Sequence, residues 1–345
     1  MLGLFTSKEV NSQDVHYSLY NQVPLVFNPA HTGGFLGSYR IAGIYRDQYR
    51  SVFTDAYKTP SFSIDAPIIR GFRDQDWVGV GIMFYTDRSG SVGQQWQAFK
   101  MSGAYHFGLG RDGKSTFSIG YQTGGISKRY RNLTQNSFNN PAEYAAFLQD
   151  NPEGPEDSFT DHVGGLRFSS QYNKTDRFHI GIAASRFGKP DFSVIKGQQQ
   201  DTMIIGPVQK AGNYRLDPKI IFQAGLSFLA NDKLRVSPSL QMQKIFGVPE
   251  YEVELQAEGM YLLNAEKRTA LIVGAGIRYG GPLDAASVLV GLQKDELKVM
   301  VAYDFNVSGL TKASGGLGGF ELSAVYIGKV YKRPNPDPVI FCPRF

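Results

Sequence analysis

The 345 residues hold a single cysteine, Cys342, so neither an internal disulfide nor a multi-cysteine metal site can form. The five histidines, His16, His31, His106, His162 and His179, stand too far apart in the chain for a local pair of metal ligands. Charge of one sign is also scarce: 36 Lys+Arg against 31 Asp+Glu gives no argument for nucleic acid as a partner. No apolar run approaches the ~18 residues that a membrane-spanning helix needs, and the longest, such as 285–292, have the length of a strand. That excludes a helical membrane protein but not a β-barrel, whose strands need only ~9–11 alternating residues. Catalytic signatures are missing too. Asp161-His162 has no nucleophile elbow beside it, and the glycine-rich 274–280 breaks the dinucleotide-binding spacing with no helix to follow. The expectation is a non-enzymatic protein with no catalytic residue, metal or cofactor.

What is present in quantity is glycine (39), phenylalanine (24) and tyrosine (19), a composition that favours closely approaching strands over helices. Alternation is clearest in five stretches. In 251–261, Tyr251, Val253, Leu255 and Ala257 share one face, and Glu252, Glu254, Gln256 and Glu258 the other. Stretches 163–171, 178–184, 234–243 and 297–305 behave in the same way. Strands are expected at 38–50, 61–68, 76–86, 94–108, 115–124, 161–171, 177–187, 216–229, 233–245, 251–263, 268–279, 285–293, 296–306 and 319–329, fourteen in all. A soluble sandwich alternates as well, so periodicity alone leaves open which face meets water. The connections discriminate. Those at 109–114, 172–176, 230–232, 264–267 and 294–295 are short and polar, while 125–160 and 188–215 fall on the other parity and are long. Short turns at one end and long loops at the other are the asymmetry of an outer-membrane barrel. The fold class is therefore all-β, a transmembrane outer-membrane barrel of about fourteen antiparallel strands.

Four segments are delimited on this reading: a start at 1–13, a pre-barrel segment at 14–37, the barrel at 38–329 and a proline-rich tail at 330–345. The opening MLGLF reads as the end of an export signal, the mature chain beginning near Gln13 or Asp14, or else as an ordinary N-terminal extension. A short helix is expected at 141–148, where Pro141 suits the first helical position.

Several pieces, in order, carry a family resemblance. YSLYNQVPLVFNPAHTG (17–33) is similar to the opening of the PorP/SprF family of type IX secretion membrane proteins, with Tyr20, Phe27, Asn28, Pro29, Ala30 and Gly33 matching. YRDQYR (45–50) resembles that family's Tyr-Arg-Asp-Gln-Trp, with Tyr49 in place of Trp. SFSIDAPI (61–68), DWVGVGIMFYTDRSG (76–90), AYHF (104–107), VSPSL (236–240), AGIRYG (275–280), VAYDFNVSGL (301–310) and the terminal CPRF (342–345) continue the match. The resemblance implies an outer-membrane barrel of Bacteroidetes that works with type IX translocon components. In the gliding-motility branch it implies a barrel that anchors a large secreted adhesin bearing a C-terminal sorting domain; in the other branch, more general support of secretion.

Candidate site residues follow from the polar strand faces. Arg46, Arg50, Arg167, Glu252, Glu254, Glu258 and Asp304 would line the lumen, either as a cradle for a protein partner or as an internal ion-pair network. The three glutamates on one strand face repel and call for arginines, a partner's cations or water. In Arg46-Asp47-Gln48, alternation keeps Arg46 and Asp47 on opposite faces, so Asp47 marks a strand end or a bulge, with an anchoring role. Asn28-Pro29 reads either as a turn or as part of a plug. In the long loops, Tyr130, Arg131, Phe138, Tyr144, Phe147 and Phe192 are candidate extracellular contacts, with packing over the barrel mouth as the alternative. Expected partners are the lipid bilayer, translocon components and a secreted surface protein; a small-solute porin and a structural subunit of the secretion apparatus remain as rivals.

Overall fold

Strands whose neighbours alternate between hydrocarbon and water can satisfy every backbone group only by closing on themselves. A computed structural model of the chain describes residues 15–48, 50, 57–70, 75–89, 93–110, 114–130, 141–150, 156–173, 175–188, 190, 216–247, 249, 251–265, 268–281, 283–307, 311 and 315–330. The strands are β1 (Tyr39–Gln48), β2 (Tyr57–Arg70), β3 (Trp77–Ser89), β4 (Gln94–Leu109), β5 (Ser115–Tyr130), β6 (Glu156–Gln171), β7 (Arg177–Ser185), β8 (Lys219–Leu229), β9 (Leu234–Ile245), β10 (Tyr251–Asn264), β11 (Thr269–Tyr279), β12 (Leu283–Lys294), β13 (Leu297–Asn306) and β14 (Leu317–Gly328). Each pairs antiparallel with its sequence neighbours. The ring closes where β1 meets β14, from Tyr39 opposite Gly328 to Gln48 opposite Gly319. Pro67, which cannot donate to a ladder, sits at a register shift between β2 and β3.

All fourteen expected strands are present. Their ends differ most where a strand outruns the bilayer. β4, β5 and β6 are each 16 residues long, beyond the ~9–11 that hydrocarbon requires. β5 therefore reaches Tyr130 and β6 begins at Glu156, shrinking the expected loop 125–160 to 131–155. Those strand tips carry polar residues on both faces, which erases the alternation a sequence reading depends on. β1 stops at Gln48, two residues before the expected end.

Side-chain direction follows the pleat. Phe62, Phe84, Ile182, Leu255, Val288 and Leu322 point outward and are exposed, whereas their alternates Ser61, Ser63, Gln223, Glu254, Ser287 and Glu321 are buried inside. The barrel is thus apolar outside and polar within, the reverse of a soluble sandwich. Of the described residues, no helix is long and apolar enough to cross a membrane.

The connections sort by end. At one mouth lie the turns 71–76, 110–114, 172–176, 230–233, 265–268 and 295–296; at the other lie 49–56, 90–93, 246–250, 280–282 and 307–316 together with the two long connections 131–155 and 186–218. The tightest turn, between β12 and β13, places Asp295 at φ 51°, a left-handed conformation that Asp tolerates. The long connection 131–155 holds α2 (Pro141–Asp150) with its expected proline at the first position; α1 is the single turn Pro24–Phe27.

Candidate functional site in the barrel lumen

Residues 15–34 do not line the barrel; they fill it. The segment is a chain of single turns, a 3-10 turn at Tyr20–Gln22, α1, and a second 3-10 turn at Pro29–His31. Tyr17, Leu19, Tyr20, Leu25, Phe27 and Thr32 are almost wholly buried in it. Tyr17 and Phe27 meet edge to face with ring centroids 6.3 Å apart. Ile44, Ile272, Leu289 and Met300 of the wall complete this apolar centre.

The wall binds the segment around most of its circumference. Tyr17 Oη donates to the Thr59 carbonyl on β2 at 3.2 Å, and Tyr20 Oη meets Ser239 Oγ on β9 at 2.7 Å. Gln122 Nε2 on β5 donates to the Leu25 carbonyl at 3.2 Å, and Trp77 Nε1 on β3 to the Gly33 carbonyl at 2.9 Å. His106 Nε2 lies 2.7 Å from the Thr32 carbonyl; a carbonyl only accepts, so Nε2 carries the proton and Nδ1 accepts from Ser118 Oγ at 2.7 Å.

Two devices hold the ends. Near the long-loop mouth, Glu321 accepts the backbone N–H groups of Ser18 and Leu19, one on each oxygen, both at 2.8 Å. Ser18 Oγ donates to Asp304 at 2.5 Å. Arg46 joins both carboxylates: Nη2 reaches Asp304 at 2.9 Å and Nη1 is ion-paired with Glu321. Arg278 extends the network, donating to Asp304 at 3.1 Å and Asp284 at 3.3 Å. Near the short-turn mouth, Asp65 accepts the Gly33 N–H at 2.7 Å and both Nε and Nη2 of Arg40, at 2.9 and 2.8 Å. The segment therefore runs from the long-loop mouth toward the short-turn mouth, where it enters β1.

Asn28 and Pro29 stand at the start of the second 3-10 turn, inside the barrel. Asn28 Oδ1 caps the second 3-10 turn by accepting the Ala30 N–H at 2.9 Å. Its Nδ2 reaches the Leu166 carbonyl of β6 at 3.2 Å, pinning the turn inside the lumen. Glycines make room for this contact. A Cβ at Gly120 would stand 2.3 Å from the Ala30 nitrogen and the Pro29 carbonyl carbon, and one at Gly165 would stand 2.1 Å from Asn28 Oδ1.

Among the charged residues expected in the lumen, Arg46, Arg167, Glu252, Glu254, Glu258 and Asp304 all lie on lumenal strand positions. Glu258 pairs with Lys298 at 3.1 Å, Glu252 accepts from Gln243 at 3.2 Å, and Glu254 stands beside Arg278 across the β10–β11 ladder. Arg50 departs from the expectation: β1 has ended, and its exposed side chain is ion-paired with Asp47. Asp47 is the penultimate strand residue and no bulge interrupts its pairing; Gln48 accepts from Arg46 Nε at 3.3 Å. Tyr130 is likewise no loop residue. It ends β5, packs on the cluster of Ala98, Ile126 and Phe159, and has the Lys128 ammonium 5.3 Å from its ring. Tyr144 belongs to α2, as does the backbone of Phe147. Arg131, Phe138 and Phe192 lie outside the described residues, as do the start 1–14 and the tail 331–345. The sequence reading did not pick out Asp65, Lys100, His106, Arg278 and Glu321. Their lumenal parity was visible, but their partners lie on strands far away in the chain.

The family model for "Type IX secretion system membrane protein PorP/SprF" matches residues 9–326. The chain belongs to this family. No curated protein matches the sequence at a significant level. Among solved structures, this PorP/SprF protein is similar to a TodX deltaS2S3 mutant monoaromatic hydrocarbon channel: TM-score 0.52, 10% identity, 87% of this chain and 92% of that one covered. A TodX deltaS2 mutant gives TM-score 0.50 at 9% identity over 90% and 94%, and the Pseudomonas putida toluene transporter TodX gives 0.47 at 11% over 87% and 91%. At such identities the likeness concerns the fold alone. Family and closed barrel together place this PorP/SprF protein in the bacterial outer membrane. The family is one of secretion-system membrane proteins rather than of enzymes.

Proposed function

We propose that this barrel anchors, or helps export, a secreted cell-surface protein that carries a type IX C-terminal sorting domain, in concert with translocon components. The observation that supports this reading is the filled lumen: residues 15–34 are bonded to the wall at both mouths and along the middle, so the barrel is built as a rigid membrane post. In this reading the cargo docks on the outer mouth, where connections 131–155 and 186–218 and helix α2 with Tyr144 supply the contact surface. The lumenal charges hold the internal segment, and a cargo segment that displaced it would inherit the same partners.

The deciding experiment shortens 131–155 and 186–218 in the native host. Cargo should then appear in the medium while the barrel still runs as a folded, heat-modifiable species in gels. Cargo retained on the surface of such cells would refute the anchor. The rival, a pore for small solutes, draws on the fold shared with TodX. It predicts steady single-channel conductance in a planar bilayer, whereas the anchor predicts a closed baseline. A third reading, a structural subunit bound through the short turns, predicts that the purified complex contains periplasmic apparatus components and no cargo.

A further inference from the structure

The lumenal ion pairs leave one basic group out. Arg167 on β6 makes a single 3.4 Å hydrogen bond to Ser169 Oγ, its Nε has no partner, and no carboxylate pairs with it among the described residues. Two imidazoles accompany it. His179 stands opposite Ser169 in the β6–β7 ladder, its ring laid over Gly225, where a Cβ would come within 2.4 Å of Cε1. His31 of the internal segment meets His179 at a centroid distance of 6.2 Å and an interplanar angle of 82°. The other basic groups nearby are engaged. Arg40 is held by Asp65, His106 is bonded on both ring nitrogens, and Lys100 is paired with Asp161, the carboxylate six positions up the same face of β6, at 2.6 Å.

Arg167, His179 and His31 are each only partly buried, so part of every one of the three side chains stays accessible beside the internal segment. A guanidinium inside a protein is costly without a counter-charge, and its planar fork suits the two oxygens of a carboxylate or phosphate. Toward the short-turn mouth the same wall adds Arg177, and Arg235, whose Nη1 donates to the Thr175 carbonyl and to Ser227 Oγ rather than to an acid. Such a run of positive charge draws anions inward.

We propose that Arg167, His179 and His31 form an anion-binding site that takes one carboxylate or phosphate group from the periplasmic side. Arg167 grips the oxyanion in a fork, Ser169 and His179 donate from the wall, and His31 donates from the internal segment. The bound anion thereby ties the segment to β6 and β7. The site is separate from the outer-mouth surface assigned to cargo, so its failure leaves that assignment standing.

The test is calorimetric titration of the full-length protein in detergent with inorganic phosphate, and separately with acetate, at constant ionic strength against a chloride background. Saturable binding of either anion, lost at least tenfold in Arg167→Gln and kept in Arg129→Gln near the opposite mouth, is the expected result. Phosphate binding alone would assign the site to phosphate, acetate binding alone to carboxylates. Lack of saturable binding by the wild type, or equal binding in Arg167→Gln, would overturn the proposal. Should Arg167→Gln fail to fold, His179→Gln replaces it: a severalfold weaker affinity is expected, and unchanged affinity overturns the site.

Discussion

Single side chains carry the closure of this barrel. Arg46 touches Asp304 and Glu321 in a site almost without solvent, so Arg46→Met leaves buried Glu321 without its ion pair and Asp304 with Arg278 alone. Removing one partner from a buried pair costs about 3–5 kcal/mol. We expect a loss of that order in urea unfolding from detergent or vesicles, with Arg46→Lys intermediate. Gly120 makes the opposite kind of contribution, by having no side chain. Gly120→Val would drive carbon atoms into the backbone of Pro29 and Ala30, which cannot shift as a side-chain tip can. The expected outcome is an ordered barrel whose segment 15–34 becomes cleavable by added protease, while the wild type resists. Asn28→Ala removes the cap on Ala30 and the link to Leu166, at a cost of about 0.5–2 kcal/mol typical of a lost cap. It should show the same protease phenotype in weaker form.

At the level of elements, every strand could be read from the sequence, most plainly the five stretches in which outward and lumenal residues alternate, the others from their β-rich composition and the turns between them. That signal is local. What fills the ring is not: the segment 15–34 could be recognised as non-strand and Asn28-Pro29 as a turn. Its burial, though, comes from walls supplied by residues as distant as Asp304 and Glu321. The notches at Gly120 and Gly165 look, in sequence, like any other glycines of a β-rich chain. Strand tips were misjudged where Ser127, Lys128 and Arg129 interrupt the apolar alternation just before Tyr130, and Arg50 was misplaced because β1 ends at Gln48. One short turn offers a pH test. Asp176 accepts from Asn173, from the Leu229 N–H at 3.0 Å and from Thr175 Oγ at 2.8 Å, and these bonds hold its carboxyl below the usual range. A depressed value means the stabilisation is complete at neutral pH and fades as pH falls through that lowered value. Exchange of the Leu229 amide should accordingly speed up at strongly acidic pH beyond the intrinsic rate, and Asp176→Asn should remove that dependence.

For the whole molecule, the outward face is the property on which membrane placement rests. Val288 lies midway along β12 and is turned away from the lumen. Val288→Arg should destabilise the barrel in a bilayer by about 2–4 kcal/mol, as cations do at the hydrocarbon midplane. Urea-titrated folding into vesicles measures this, and indifference to the substitution would place that face in water. The path of the first residues bears on how the ring is made. Their downstream end leads straight into β1, while Ser18 and Leu19 grip β13 and β14, the last strands to be synthesised. The two edges that must find each other are thus joined by a common tether that also fixes their stagger. A chain shorn of residues 15–34 should therefore stall as an unsealed sheet during insertion, leaving the assembly machinery to hold what the protein would otherwise lace shut for itself.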